Sequence, residues 1–110
     1  MNFLYPVENL NEIKSRYIKY ENVFRKGMFI IENEMCTFTS GSGSSYSFTV
    51  EDRFDDFKVD VRHQQGGMDY NCSCGTQLPC CPHAAAALVT LYNMYRDSEA
   101  LAGWLVSRVV

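Results

Sequence analysis

The sequence predicts an α+β fold: a small antiparallel β-sheet with one N-terminal helix and two C-terminal helices. Apolar residues recur at helical spacing near the N-terminus, alternate at period two through the middle, and return to helical spacing beyond residue 82. The stretch NCSCGTQLPCCPH at 71–83 places four cysteines and a histidine between the last strand and the next helix. No Asp, Glu, Lys or Arg lies between Asp69 and Arg96. A helix there has almost no charged face and is expected to be buried on most sides.

The first helix is expected over about 9–26, where Leu10, Ile13, Tyr17, Tyr20 and Phe24 share one face. Asn9 followed by Glu12 has the form of a capping box, and Gly27 is placed to stop the helix. Residues 28–32 (MFIIE) and 35–39 (MCTFT) are β-rich and predict a hairpin turning at Asn33 and Glu34. SGSGSS at 40–45 is expected to be a loop. Tyr46, Phe48 and Val50 alternate on one strand, and Phe57, Val59 and Val61 on the next. Gln64, Gln65, Gly66 and Gly67 should turn the chain into a strand carrying Met68, Tyr70 and Cys72.

Pro82 suits a first helical position, because its φ is fixed and it has no N–H to leave unpaired. Ala84, Leu88, Leu91, Tyr92 and Tyr95 mark the helix face that follows. Asp97 or Ser98 can cap a last helix with Leu101, Trp104 and Leu105 on its apolar side.

With 110 residues, the chain is expected to form a single domain spanning 1–110. A formal net charge of −3 excludes the strongly basic class that binds nucleic acid by phosphate neutralisation alone. No run approaches the roughly 18 apolar residues of a membrane span. MNFLYPVENL lacks the charged-then-apolar layout of a signal peptide. These features predict a cytoplasmic chain with no membrane partner and no small-molecule substrate. In a reducing compartment, clustered cysteines point to metal or redox chemistry.

The spacing C-x-C-x6-C-x-H selects Cys72, Cys74, Cys81 and His83 as metal ligands. Three thiolates and one imidazole make a closed tetrahedral set, the usual arrangement of structural zinc. Zinc would then join a strand end to a helix start and favour only the folded form. The helix N-terminus should favour a thiolate at Cys81 and disfavour a charged imidazole at His83. Cys80 competes with Cys81, but it lies one residue further from the helix start. Cys36, among apolar strand residues, reads as a small core side chain. His63 reads as an exposed surface residue near a hairpin.

Catalysis has less support. Cys72-Ser73-Cys74 could serve as a redox pair, but Cys81-Pro82-His83 is followed by Ala84 where a resolving cysteine would stand. Cys81 and His83, two apart at a helix start, do not face one another as nucleophile and base.

NCSCGTQLPCCPHAAAAL at 71–88 resembles the SWIM-type zinc finger: C-x-C, a variable gap, C-x-H and an alanine-rich helix. SYSFTV and FKVDV upstream match the family's ββα layout, so the resemblance covers about 45–95. The helix ending in Arg25, Lys26 and Gly27 resembles the segment before the finger in bacterial Swi/Snf-type helicase-like ATPases. The resemblance implies a non-enzymatic module that binds DNA or protein within a helicase-like or transcription-related complex. It also implies a covalently linked ATPase domain as a partner, although nothing here matches the phosphate-binding G-x-x-x-x-G-K-[ST]. Pro82 stands where many members carry a basic residue.

For nucleic acid, the candidate contacts are Lys14, Arg16, Lys19, Arg25, Lys26, Arg53, Lys58 and Arg62. Their interleaving with acidic residues equally fits a solvated surface. For protein docking, the candidates are a side of the helix at 82–95 and the terminal segment with Trp104, Val109 and Val110.

Overall fold

The computed structural model describes residues 7–64, 67–75 and 81–109. Three helices, α1 (Leu10–Arg16), α2 (Glu21–Glu32) and α3 (Pro82–Val109), enclose one face of a four-stranded sheet. The strands β1 (Cys36–Ser42), β2 (Ser45–Asp52), β3 (Asp55–Gln64) and β4 (Gly67–Cys72) form an antiparallel meander in the order β1-β2-β3-β4. The α+β class with flanking helices is the one the sequence predicts. Among the described residues, no helix is long and apolar enough to cross a membrane.

Period-two alternation sorts the sheet into two faces. Tyr46, Phe48, Val50, Val59, Val61 and Met68 are buried on the inner face. Register sets Ser45 beside Arg62 and Arg62 beside Asp69, then Ser47 beside Asp60 and Asp60 beside Asn71. These polar residues form the outer face. His63 continues the inner row from Val59 and Val61 and is 3% exposed, which corrects its reading as a surface residue. A side chain two positions beyond a buried valine on a strand falls on the same face.

Helix α3 covers the inner face and packs most extensively against α2. Ala84 to Val89 and Leu91 are all buried, as expected of a helix start without charge. Asn9 caps α1 as its sequence predicts: Asn9 Oδ1 accepts from the Glu12 N–H at 2.9 Å, and Asn9 Nδ2 donates to Glu12 Oε1 at 3.2 Å.

Four element assignments differ from the sequence reading. The helix expected over 9–26 is broken at residues 17–20, where buried Tyr17 closes α1 and its hydroxyl donates to the Cys81 carbonyl at 3.4 Å. No glycine or proline marks that break; a tertiary contact does.

Residues 28–32 are the second half of α2 and not a strand. Gly27 lies inside α2 and does not stop it. A Cβ there would meet the Ala85 Cβ at 2.7 Å and the Pro82 carbonyl oxygen at 3.0 Å. The helix ends instead at Asn33 and Glu34. The Glu34 N–H donates to Ile31 and the Met35 N–H to Ile30, with Glu34 in the left-handed region at φ 58°. That is the Schellman arrangement, with a glutamate where glycine is usual.

SGSGSS is largely strand. β1 runs to Ser42, which pairs with Ser45 across a tight two-residue turn. Finally, the two C-terminal helices are one, because α3 continues through Asp97 and Ser98. Mid-helix Asp and Ser cost only a few tenths of a kcal/mol each, too little to end a helix without a breaker. Gln65, Gly66, Cys80 and Val110 lie outside the described residues, as do the side chains of Leu101, Trp104, Leu105 and Val109.

The close approach at Gly27 makes a testable point. Gly27→Val should destabilise the protein by about 2 kcal/mol, since the added carbons must displace Ala85 and a helix backbone. Urea unfolding of the variant beside wild type measures this, and an unchanged midpoint would mean that α2 does not sit so tightly on α3.

Candidate metal centre

Strand β4 ends at Cys72, held beside Val59 by the sheet register. The chain then closes a tight turn in which the Gly75 N–H donates to the Cys72 carbonyl at 3.3 Å. Gly75 adopts φ +69°, a conformation that favours glycine. Ser73 fixes this turn to β3: its N–H donates to the Lys58 carbonyl, and its hydroxyl accepts from the Lys58 N–H, both at 2.9 Å. Cys72 and Cys74 are thereby set on either side of an anchored residue.

From the other direction, Cys81 caps α3. Its carbonyl accepts from the Ala85 N–H at 3.0 Å, and its Sγ accepts from the Ala84 N–H at 3.3 Å. The sulfur thus sits on a helix N-terminal amide, the placement the sequence predicts. His83 follows within the first turn of α3 and is 5% exposed.

One ligand atom from each of Cys72, Cys74, Cys81 and His83 lies within 4.8 Å of the others. A tetrahedral zinc with its usual bond lengths would separate a sulfur and an imidazole nitrogen by about 3.6 Å. Cys72 Sγ and His83 Nδ1 are 3.6 Å apart. The donor set and its spacing therefore fit a four-coordinate soft divalent ion, with zinc the natural choice for three sulfurs and one nitrogen.

The surroundings of His83 come from elements distant in sequence. Its Nε2 lies 2.9 Å from Asp52 Oδ2, at the end of β2. Lys26 Nζ of α2 lies 3.1 Å from the same oxygen. The Phe57 ring of β3 stacks on the imidazole with centroids 4.2 Å apart and planes 14° from parallel. Sequence reasoning missed Asp52 as a member of the site. Nothing in the spacing of Asp52 and His83 links them; only the β2–β3 hairpin brings the carboxylate to α3.

Protonation follows from this crowding. Burial pushes the Cys72 thiol up, and the neighbouring Cys74 and Cys81 sulfurs add to the effect, to about 12. Burial works against a charged His83, but hydrogen bonds to the Cys81 sulfur, the Asp52 carboxylate and the Cys74 sulfur outweigh it and raise His83 to about 9. The helix N-terminus was expected to keep this imidazole neutral; three acceptors around one ring reverse that. Burial pulls Asp52 upward, yet His83 and Lys26 hold it below the usual carboxylate range.

Compared with known proteins, the chain matches no family model, no curated protein and no solved structure.

The eight basic residues put forward for nucleic acid are distributed over different faces. Lys58 and Arg62 are exposed on the outer face of the sheet, and Arg53 stands in the β2–β3 turn. Lys14 and Arg25 line a hollow of about 440 Å³ with Tyr17, Ile18, Glu21 and Phe24. Lys19 is exposed beyond the end of α1. Arg16 pairs with Glu8, Arg25 with Glu21 at 2.8 Å, and Lys26 with Asp52. Cys36 packs against the core as expected, its sulfur 3.4 Å from the Thr90 hydroxyl, and burial raises its pKa.

A metal ion must displace protons from this site. Near neutral pH, an imidazole raised to about 9 and a thiol raised to about 12 are both protonated. Zinc binding should therefore release more than one proton per ion, and acidification should weaken it. As pH rises through about 9, the His83 share of that release should vanish while the Cys72 share persists. Titration calorimetry in buffers of different ionisation enthalpy reads the proton count directly; no net release near neutrality would contradict this protonation scheme.

Proposed function

We propose that this protein is a non-enzymatic interaction module of the SWIM type, built around a structural zinc ion held by Cys72, Cys74, Cys81 and His83. The convergence of these four donor atoms within 4.8 Å carries the reading. Four protein ligands fill a tetrahedral zinc and leave no open position for substrate or water, which separates a structural site from a catalytic one. The CxC–CxH spacing and the strand–knuckle–helix order support the SWIM-type assignment.

A redox role for the Cys72 and Cys74 pair has less behind it. A thiol pushed up to about 12 is almost wholly protonated near neutrality, and the thiolate is the attacking species.

The module's partner, on this reading, is a protein belonging to a helicase-like or transcription-related complex. The dispersal of the cations over several faces in a chain of net charge −3 gives a poor phosphate track. Phe54 supports the protein reading: it is fully exposed at the tip of the β2–β3 hairpin, with its backbone at φ 69°. A bulky side chain in the left-handed region is strained, and such strain concentrates at binding sites. Direct nucleic-acid binding remains the second reading, favoured only by Lys58 and Arg62 on the polar outer face.

Native mass spectrometry is expected to find one zinc per chain. Cys81→Ser should lose the ion while Cys80→Ser keeps it; the opposite result would transfer the ligand role to Cys80, and a metal-free wild type with intact thiols would end the zinc reading. A mobility-shift titration at low salt should show no retardation of single- or double-stranded DNA. Retardation that weakens with salt and on Lys58→Ala with Arg62→Ala would move the proposal to nucleic acid.

A further inference from the structure

His83 uses its two ring nitrogens differently. Nδ1 faces the sulfur cluster, 3.6 Å from Cys72 Sγ. Nε2 faces away from it, 2.9 Å from Asp52 Oδ2. A neutral imidazole carries one ring proton, and a carboxylate can only accept. Asp52 therefore selects the tautomer with hydrogen on Nε2 and a lone pair on Nδ1, the form able to bind a metal inside the cluster.

Two further contacts make the arrangement a fixed one. The Asp52 side chain is only 14% exposed, and Lys26 donates to the same oxygen at 3.1 Å, so its charge is compensated. Phe57 stacks flat on the imidazole and restricts tilting of the ring out of its plane. The bend at Arg53 and Phe54, both at positive φ, ends β2 so that Asp52 stands opposite Asp55 at the hairpin end.

We propose that Asp52 is the outer-sphere partner of the metal-binding histidine. It orients His83, fixes its Nδ1-metallated tautomer and raises the basicity of that ligand, while Lys26 anchors the carboxylate from α2. The inference rests on the reading that these four residues hold zinc, and it adds a positioning residue to that site. Its consequence is that α2, the β2–β3 hairpin and α3 are joined through one chain of contacts, Lys26 to Asp52 to His83. Loading of the centre and seating of α2 are coupled through it.

Removing such a partner typically weakens metal binding by about 10–100-fold. Asp52→Asn keeps the shape and an acceptor oxygen but removes the charge. Competition of the full chain against a chromophoric zinc chelator should show a loss in that range. In a His83→Cys background the ligand has no second N–H to donate, so adding Asp52→Asn should change nothing; this double-mutant cycle separates positioning from general stability. Wild type gives a readout independent of any variant. Long-range proton–nitrogen NMR of the zinc-loaded protein should show His83 metallated at Nδ1 and protonated at Nε2.

Metallation at Nε2, or an equal loss from Asp52→Asn with His83 and with Cys at position 83, would overturn the proposal while leaving zinc binding intact. Failure of wild type to bind zinc would instead overturn the reading of the site itself.

Discussion

The first turn of α3 begins inside the hydrophobic core, and the placement of every neighbouring element answers to that burial. Cys81, His83 and Ala84 to Val89 are almost inaccessible, pressed between the inner face of the sheet and α2. A helix start carries unpaired N–H groups that ordinarily face water, and burying them without partners is costly. Here the Cys81 sulfur and carbonyl take the Ala84 and Ala85 amides. Pro82 has no amide to satisfy. The short alanine side chains let the sheet and α2 come close, and Gly27 brings α2 within contact of the Pro82 carbonyl.

The same burial shapes the chemistry of the cysteine and histidine cluster. Three thiols and an imidazole in a space less than 5 Å across cannot all adopt their metal-binding protonation states unaided, as the upward movement of Cys72 and His83 shows. A divalent cation resolves that conflict, because it favours the thiolates and the free lone pair that burial and crowding oppose. One ion between β4 and α3 would link the last strand to the helix start, whose buried side chains include Ala84, Ala85, Ala86 and Ala87. The surrounding contacts carry the link outward, through Ser73 to β3 and through Asp52 to β2 and α2.

The outer face of the sheet and the inner one follow different rules. Inner residues are chosen for volume, and register brings Phe38 against Phe48, with ring centroids 5.6 Å apart. Outer residues include hydroxyls, carboxylates, the Asn71 amide and the cations Lys58 and Arg62, with Ser47 donating to Asp60 at 2.7 Å. Such a face is well hydrated and needs no cover. Among the described residues, the large apolar side chains exposed at the surface are Ile18, Phe29 and Phe54, each on a different segment.

Much of this was legible in the residues alone, wherever a local rule meets no competitor. Period two gave the inner faces of β2, β3 and β4; the Asn9 and Glu12 pair gave the start of α1; the charge-free run from 70 to 95 gave the burial of α3 as far as Leu91. The four-residue donor set was also readable, because thiolate and imidazole at that spacing have few other uses. Local rules failed where a distant contact outweighed a small propensity. Gly27 looked like a helix stop, yet its missing side chain is required by Ala85 and Pro82, and MFIIE became helix because α2 had to continue along α3. Tyr17 broke a helix that its own sequence would have continued, because it reaches Cys81. Asp52 could be assigned to His83 only by the fold, since a hydrogen bond depends on distance in space and a sequence separation of 31 carries no trace of it. The sequence by itself determined which atoms are able to hold a metal; the tertiary structure decided which nitrogen of His83 faces them, because only packing can aim a ring.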